Sequence, residues 1–185
     1  MMMKKCTAAL AALALCLGLA GCGAASSSAS QAQPVDYTQA IVDARSDTDN
    51  ERDILAAKAG EDAAYTHNPQ EMPAEEAAPQ AEMVLMTLGL EPAQLDEYAC
   101  SVSLMNVQAY AVGIFRPAEG EAEAVQAALE TYVSSIQQSF QNYLPDQYEI
   151  AKGAKVQTLG TGEVVLALCE DASGVLSAIE DRLAG

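Results

Sequence analysis

The feature that most constrains the fold is a run of large apolar residues in the second half of the chain. They recur at intervals of three and four between residues 125 and 143, which is the period of one face of an α-helix. The spacing predicts an amphipathic helix over residues 119–143, closed by Pro145, with Gln137 on the solvent side. The predicted buried face consists of Val125, Leu129, Tyr132, Ile136 and Phe140.

Segments with a period of two flank this helix and predict two β-hairpins. Apolar residues alternate with small or polar ones in residues 98–104 and 109–114, which lie on either side of Asn106. The second pair of segments, residues 155–159 and 163–169, surrounds the sequence Gly160-Thr161-Gly162. A last helix follows, capped by Asp171 or Ser173. The predicted fold class is therefore α+β, with two layers: an antiparallel sheet of two hairpins, covered by the long central helix and a C-terminal helix.

The region before residue 98 gives weaker signals. A short helix is predicted over residues 36–44 with Asp36 as its cap, and a second around residues 51–59. Residues 66–79 contain three prolines without apolar periodicity and predict a loop. Residues 80–88 predict a helix that ends at Gly89. The predicted domain at 80–185 thus follows an acidic segment, 35–79, that is partly helical and partly disordered.

The N-terminus has the layout of an export signal. Lys4 and Lys5 precede an uncharged run with an apolar centre at residues 8–20. The run closes on Leu19-Ala20-Gly21-Cys22, which resembles the lipobox of bacterial lipoproteins, whereas Cys16 follows a leucine too large for the cleavage position. The alternative, a transmembrane helix, fits less well because small residues and serines follow the run instead of charged anchors. We expect a signal peptide over 1–21, lipidation of Cys22 and a flexible tether over 22–34.

The charge balance restricts the partners. The chain has 26 acidic and 9 basic residues, for a net charge of −17. A chain this acidic does not neutralise phosphates, so we expect no nucleic-acid partner. It is also poorly suited to adsorb electrostatically to anionic lipid.

Several of these features together resemble a known family. They are the lipobox, Gly89-Leu90 before the first strand, the Tyr-Ala-Cys-Ser-Val-Ser sequence of the first hairpin, and a long helix that ends in Phe140, Tyr143, Pro145 and Gln147. They are similar to small lipoproteins of Gram-positive, mostly anaerobic, bacteria that are known only as a domain of unknown function. The resemblance covers roughly residues 80–185. It implies a cell-surface lipoprotein and supplies no substrate or activity.

No residue pattern predicts catalysis or a metal site. His67 is the single histidine and lies beside Asn68-Pro69 in a predicted loop, so a Ser-His or Cys-His pair would rest on it alone. The alternating acids from Asp47 to Asp53 suggest calcium, but an EF-hand starting at Asp47 would need Gly and Glu where Arg52 and Lys58 stand. We therefore predict no metal and no cofactor.

Cys100 and Cys169 are the thiols left in the folded part once Cys22 is lipidated. Both fall in predicted strands of an exported domain, where a disulfide can persist. The alternative is two small buried free thiols. Hosts of the similar family tend to be anaerobes whose exported proteins are often cysteine-poor. We favour the free thiols, because a pairing cannot be deduced without knowing which strands are adjacent.

Two classes of function fit these observations. The first is a non-enzymatic lipoprotein, a lipid-anchored module on the extracytoplasmic face of the cell membrane that binds an unknown protein or small molecule. The second is an envelope-associated hydrolase that uses carboxylates, which would need acids converging in an apolar pocket with perturbed pKa values. The missing nucleophile–base motif favours the first.

Overall fold

The core of the protein is an antiparallel sheet, which has six strands within the described residues, 35–68 and 74–185 of a computed structural model. The strands are ordered β2-β1-β3-β4-β6-β5, and every neighbouring pair is antiparallel. The predicted α+β class is confirmed, and β3–β4 and β5–β6 are the two predicted hairpins. The strands are β1 (Ile54–Lys58), β2 (Ala64–His67), β3 (Leu95–Val102), β4 (Ala111–Pro117), β5 (Lys155–Thr158) and β6 (Val164–Leu168).

A third hairpin, β1–β2, occupies a region where the sequence predicts a helix over 51–59 and a loop from residue 66. Both predictions are wrong there. β1 is central to its part of the sheet, with Leu55 opposite Cys100 of β3 on one side and Tyr65 of β2 on the other. Its alanines favour a helix locally, but pairing with two strands outweighs that preference.

The helices lie on both faces of the sheet, which differs from the predicted two layers. Phe115 of β4 belongs to one apolar core and its neighbour Ile114 to another, and both side chains are fully buried. The first core packs against α2, α3 and α4, and the second against α1 and α5. The helices are α1 (Tyr37–Ala44), α2 (Ala77–Leu88), α3 (Ala122–Phe140), α4 (Pro145–Gly153) and α5 (Ala172–Ala184).

Residues 35–68 belong to the same sheet and cores as the rest of the described chain, since they supply α1, β1 and β2. The sequence analysis separates them from the domain at residue 80. α2 begins at Ala77, inside the predicted loop. The predicted signal peptide, the tether and Cys22 lie outside the described residues.

The predicted helix caps are largely confirmed. Asp36 accepts a hydrogen bond from the backbone N–H of Gln39 (3.1 Å) at the start of α1, and Asp171 accepts one from Gly174 (3.0 Å) at the start of α5. Pro145 does not close the preceding helix as predicted, since α3 ends at Phe140; it is instead the first residue of α4. Proline suits that position, where its missing N–H would have no helical partner.

The long helix α3 is shorter than predicted, but it packs the expected face against the sheet. Leu129 is fully buried, whereas Ile136 is half-buried at the edge of the core. Gln137 does not point to solvent: its amide donates a hydrogen bond to the backbone oxygen of Ala151 in α4 (3.0 Å). The helix that the sequence analysis misses, α4, therefore covers part of the face predicted to be exposed.

Candidate functional site

A groove of about 740 Å³ lies between α2, the turn that joins β1 to β2, and the segment that leads into β3. We call it the acidic groove. Gly89 shapes one wall, because its left-handed backbone (φ 74°) lets the chain reverse after α2. The amide of Leu90 then donates to the carbonyl of Leu85 (2.9 Å) and that of Gly89 to Met86 (3.1 Å). This pair of bonds is the Schellman arrangement, and it folds Leu90 back toward the helix.

The lining of the acidic groove is apolar at its base. Side chains from α2, β3 and the connecting segment form it, and each is at most 6% exposed. Met86 also lines the groove but is 72% exposed, so it stands at the lip. A methionine side chain adapts its shape to what it contacts. The residues at the base are Ala81, Leu85, Leu90, Leu95 and Tyr98.

The rim of the acidic groove carries four exposed carboxylates: Glu61, Asp62, Glu82 and Glu91. They come from three separate elements and surround the apolar base. None of the four has an ion-pair partner among residues 35–68 and 74–185. Lys58 also lines the groove, with its ammonium 3.3 Å from the Glu97 carboxylate, so among the described lining residues a single cation faces the four rim carboxylates. The rim therefore has an uncompensated negative charge.

A second polar feature, which we call the Arg116 cluster, ties α1 to the sheet. The guanidinium of Arg116 lies 3.1 Å from Glu163 and 3.3 Å from Glu97. The Tyr37 hydroxyl donates to the same oxygen of Glu163 (2.7 Å), and Arg116 lies over the Tyr37 ring at 5.3 Å. The cluster thus joins the first residue of α1 to β3, β4 and the start of β6.

The Glu163 carboxyl is 95% buried, and burial alone would raise its pKa. Hydrogen bonds from Thr161, Tyr37 and Arg116 outweigh burial, so the pKa of Glu163 is lowered from its ordinary value. Burial and the bond to Glu163 also raise the pKa of Tyr37. Glu163 is consequently ionised at neutral pH. The cluster has the character of a structural ion-pair network.

Replacing Glu163 with glutamine should lower the free energy of unfolding by about 1–3 kcal/mol at pH 7, because it removes charge-assisted bonds from a buried position. The pKa of Glu163 is lower in the folded protein than in the unfolded chain, where it is about 4.3. The stabilisation from its carboxylate is therefore fully present above the unfolded-state pKa and is lost as pH falls through the folded-state pKa. In urea titrations, the difference in free energy of unfolding between the wild type and Glu163→Gln should therefore shrink from pH 7 toward pH 3. Glu149→Gln removes an exposed pair with Lys152 and should change stability by less than about 0.5 kcal/mol. If the loss of stability in Glu163→Gln did not change with pH, Glu163 would not be an ionised carboxylate that stabilises the fold.

The two candidate disulfide cysteines are free thiols on opposite faces of the sheet. Cys100 belongs to the core beneath α2 and α3, and Cys169 to the core beneath α1 and α5. The disulfide alternative is therefore absent from the structure. Burial raises the pKa of Cys100 to about 12 and, as the main cause, that of Cys169 to about 11. Both are protonated at neutral pH and are poor nucleophiles.

His67 and Asp49, one of the alternating acids, both contact neighbouring polar groups. His67 is half-buried in β2, where its Nε2–H donates to the Asn50 carbonyl (2.8 Å), so the predicted exposed loop is wrong. Asp49 accepts a hydrogen bond from Ser46 and pairs with Arg52 at 3.5 Å. In the part of the chain that the structure describes, no group of three or more acidic, histidine or cysteine side chains is arranged to hold a metal.

Comparison with known families gives one match. The model of a domain of unknown function, DUF4358, matches residues 70–169, more than half of the chain. The chain belongs to the DUF4358 family. The predicted resemblance to a domain of unknown function is thereby confirmed. No curated protein and no solved structure matches the chain.

The DUF4358 match includes α2, both predicted hairpins, α3 and α4, while α1, β1, β2 and α5 lie outside it. The acidic groove is formed partly inside and partly outside the matched residues. Glu82 and Glu91 lie within them, and Glu61 and Asp62 lie before them. The groove is not among the sites predicted from the sequence. Its only sequence signal is Gly89-Leu90 after an amphipathic helix, which indicates a reversal of the chain but not a hollow.

Proposed function

We propose that this DUF4358 protein is an extracytoplasmic lipoprotein, anchored to the cell membrane through Cys22, that works as a binding module. The observation that carries the binding role is the acidic groove, whose apolar base and open charged rim suit a ligand. The anchor rests on the sequence from Lys4 to Cys22. No helix among the described residues has the length and apolarity needed to cross a membrane.

A binding role is better supported than the alternative of a carboxylate hydrolase. Such an enzyme needs one carboxyl that keeps its proton near neutral pH. In the described part of the chain, the fold brings the carboxylates of Glu97 and Glu163 together on the guanidinium of Arg116, whose side chain is 45% exposed. The pKa of Glu163 is lowered, which is opposite to what a general acid requires. The acids of the groove rim are exposed, whereas such an enzyme needs its acids to converge inside an apolar pocket.

Metabolic labelling with a fatty acid should tag the wild-type protein, and Cys22→Ser should be unlabelled and accumulate as precursor or be released. The reason is that the lipid is attached to the thiol that follows Leu19-Ala20-Gly21. Cys16→Ser is the matched control: it removes a cysteine from the same segment and should still be labelled. Label that persists on Cys22→Ser, or is lost from Cys16→Ser, would reject the anchor.

A further inference from the structure

Resting on the proposed binding role, we propose that the acidic groove binds a cationic, amphipathic peptide segment of a partner protein, one that carries several Lys or Arg residues beside apolar side chains.

The charge of the groove selects the sign and number of the ligand's charges. Glu61 and Asp62 lie at the β1–β2 turn, Glu82 on α2, and Glu91 in the segment before β3. Because these carboxylates surround the base from three elements and lack cationic partners within the described residues, one cation does not satisfy them together. A ligand with several spaced positive charges does. Complementary charge of this kind increases the association rate and specificity.

The apolar lining of the groove selects for apolar groups in addition to charge. Ala78, Met86 and Pro92 line the groove and are exposed, so they supply the apolar surface that a ligand can contact, and Met86 can adapt its shape to that ligand. The leucines and Tyr98 beneath them are at most 6% exposed. A volume of about 740 Å³ lies within the range of sites for ligands larger than a single ion. A free polyamine would leave this apolar surface uncovered, whereas Leu or Val side chains of a peptide would cover it. The pattern of the groove therefore matches a peptide that is both basic and apolar.

Binding of a fluorescein-labelled twelve-residue peptide of alternating Lys and Leu to the full chain in a neutral detergent tests the proposal. Fluorescence anisotropy should show saturable binding that weakens as salt rises, since salt screens exposed charges. Two further peptides replace every Leu by Gly or every Lys by Glu. The Lys/Gly peptide should bind at least about tenfold more weakly, and the Glu/Leu peptide should show no saturable binding.

The decisive comparison uses two matched acidic pairs. Glu61→Gln/Asp62→Asn removes two charges from the rim, and Glu180→Gln/Asp181→Asn removes the same two residue types from the exposed face of α5, in the opposite layer. The first variant should raise Kd about tenfold and the second less than about twofold. Met86→Gln should raise Kd about threefold, and Met105→Gln, at another exposed methionine, should not. Circular dichroism checks that each variant is folded.

Equal loss of affinity in the two acidic pairs would overturn the proposal, because binding would then follow net charge and not the groove. Full competition by spermine at concentrations that match its charge to that of the peptide would also overturn it, because the site would then recognise a small polycation. Either failure leaves fatty-acid labelling of Cys22 unchanged. Loss of that labelling, in contrast, rejects the anchor whatever the groove binds.

Discussion

Replacing Phe115 with alanine should lower the free energy of unfolding by about 3–5 kcal/mol. The ring is fully buried in β4, a central strand, and stacks with Tyr98 at a centroid distance of 6.4 Å. It also covers Gly113 of the same strand, where an added Cβ would stand 2.7 Å from the ring. Truncation therefore leaves a cavity between the sheet and the helices that cover this face, and the close packing around the cavity prevents it from collapsing.

Urea titration at pH 7 measures this effect, and Tyr143→Ala is its control. Tyr143 is also aromatic, but its side chain is 70% exposed beyond the end of α3. Its truncation should change stability by less than about 0.5 kcal/mol. Similar losses in the two variants would mean that the α3 side of the sheet is not packed as described.

Leu129→Ala should lower the free energy of unfolding by about 2–5 kcal/mol, because Leu129 is fully buried in the middle of α3. Glu130→Ala is the matched control. It lies one residue further on the exposed side, and replacing it with alanine favours the helix slightly. Its effect should stay below about 0.5 kcal/mol.

Ile136→Ala extends the comparison along the same helix. Because Ile136 is half-buried, its truncation leaves a site that water partly fills, and the loss should be smaller than for Leu129. A larger loss at Ile136 than at Leu129 would place the centre of the core nearer the end of α3 than the structure has it.

The hairpins β3–β4 and β5–β6 are predictable because their signals are local: alternation of apolar residues and a glycine-containing turn. The burial of the second face of the sheet is not predictable in this way. Ala99 and Ser101 are small or polar and indicate a solvent face, yet they are 1% and 4% exposed. Coverage by α1 and α5 depends on contacts distant in sequence, which alternation within one strand does not encode.

The candidate sites also differ in whether adjacent residues in the sequence indicate them. Lipidation of Cys22 stays a prediction, and the sequence supports making it because a processing motif is a short run of adjacent residues. The acidic groove joins residues from three elements, and in the sequence Glu82 or Glu91 does not differ from any other solvated acid. The Arg116 cluster likewise joins Tyr37 to Glu163, residues 126 positions apart. The packing of α1 on the sheet brings them together.

The placement of the two thiols has a consequence for how the protein opens. Cys100 is closed off by one layer of helices and Cys169 by the other, so a thiol reagent reaches each one only when its own layer separates from the sheet. The two reaction rates consequently report two different opening events in one molecule. Neither Cys100 nor Cys169 forms a bond that a reductant would break, so adding a reductant does not itself release either layer.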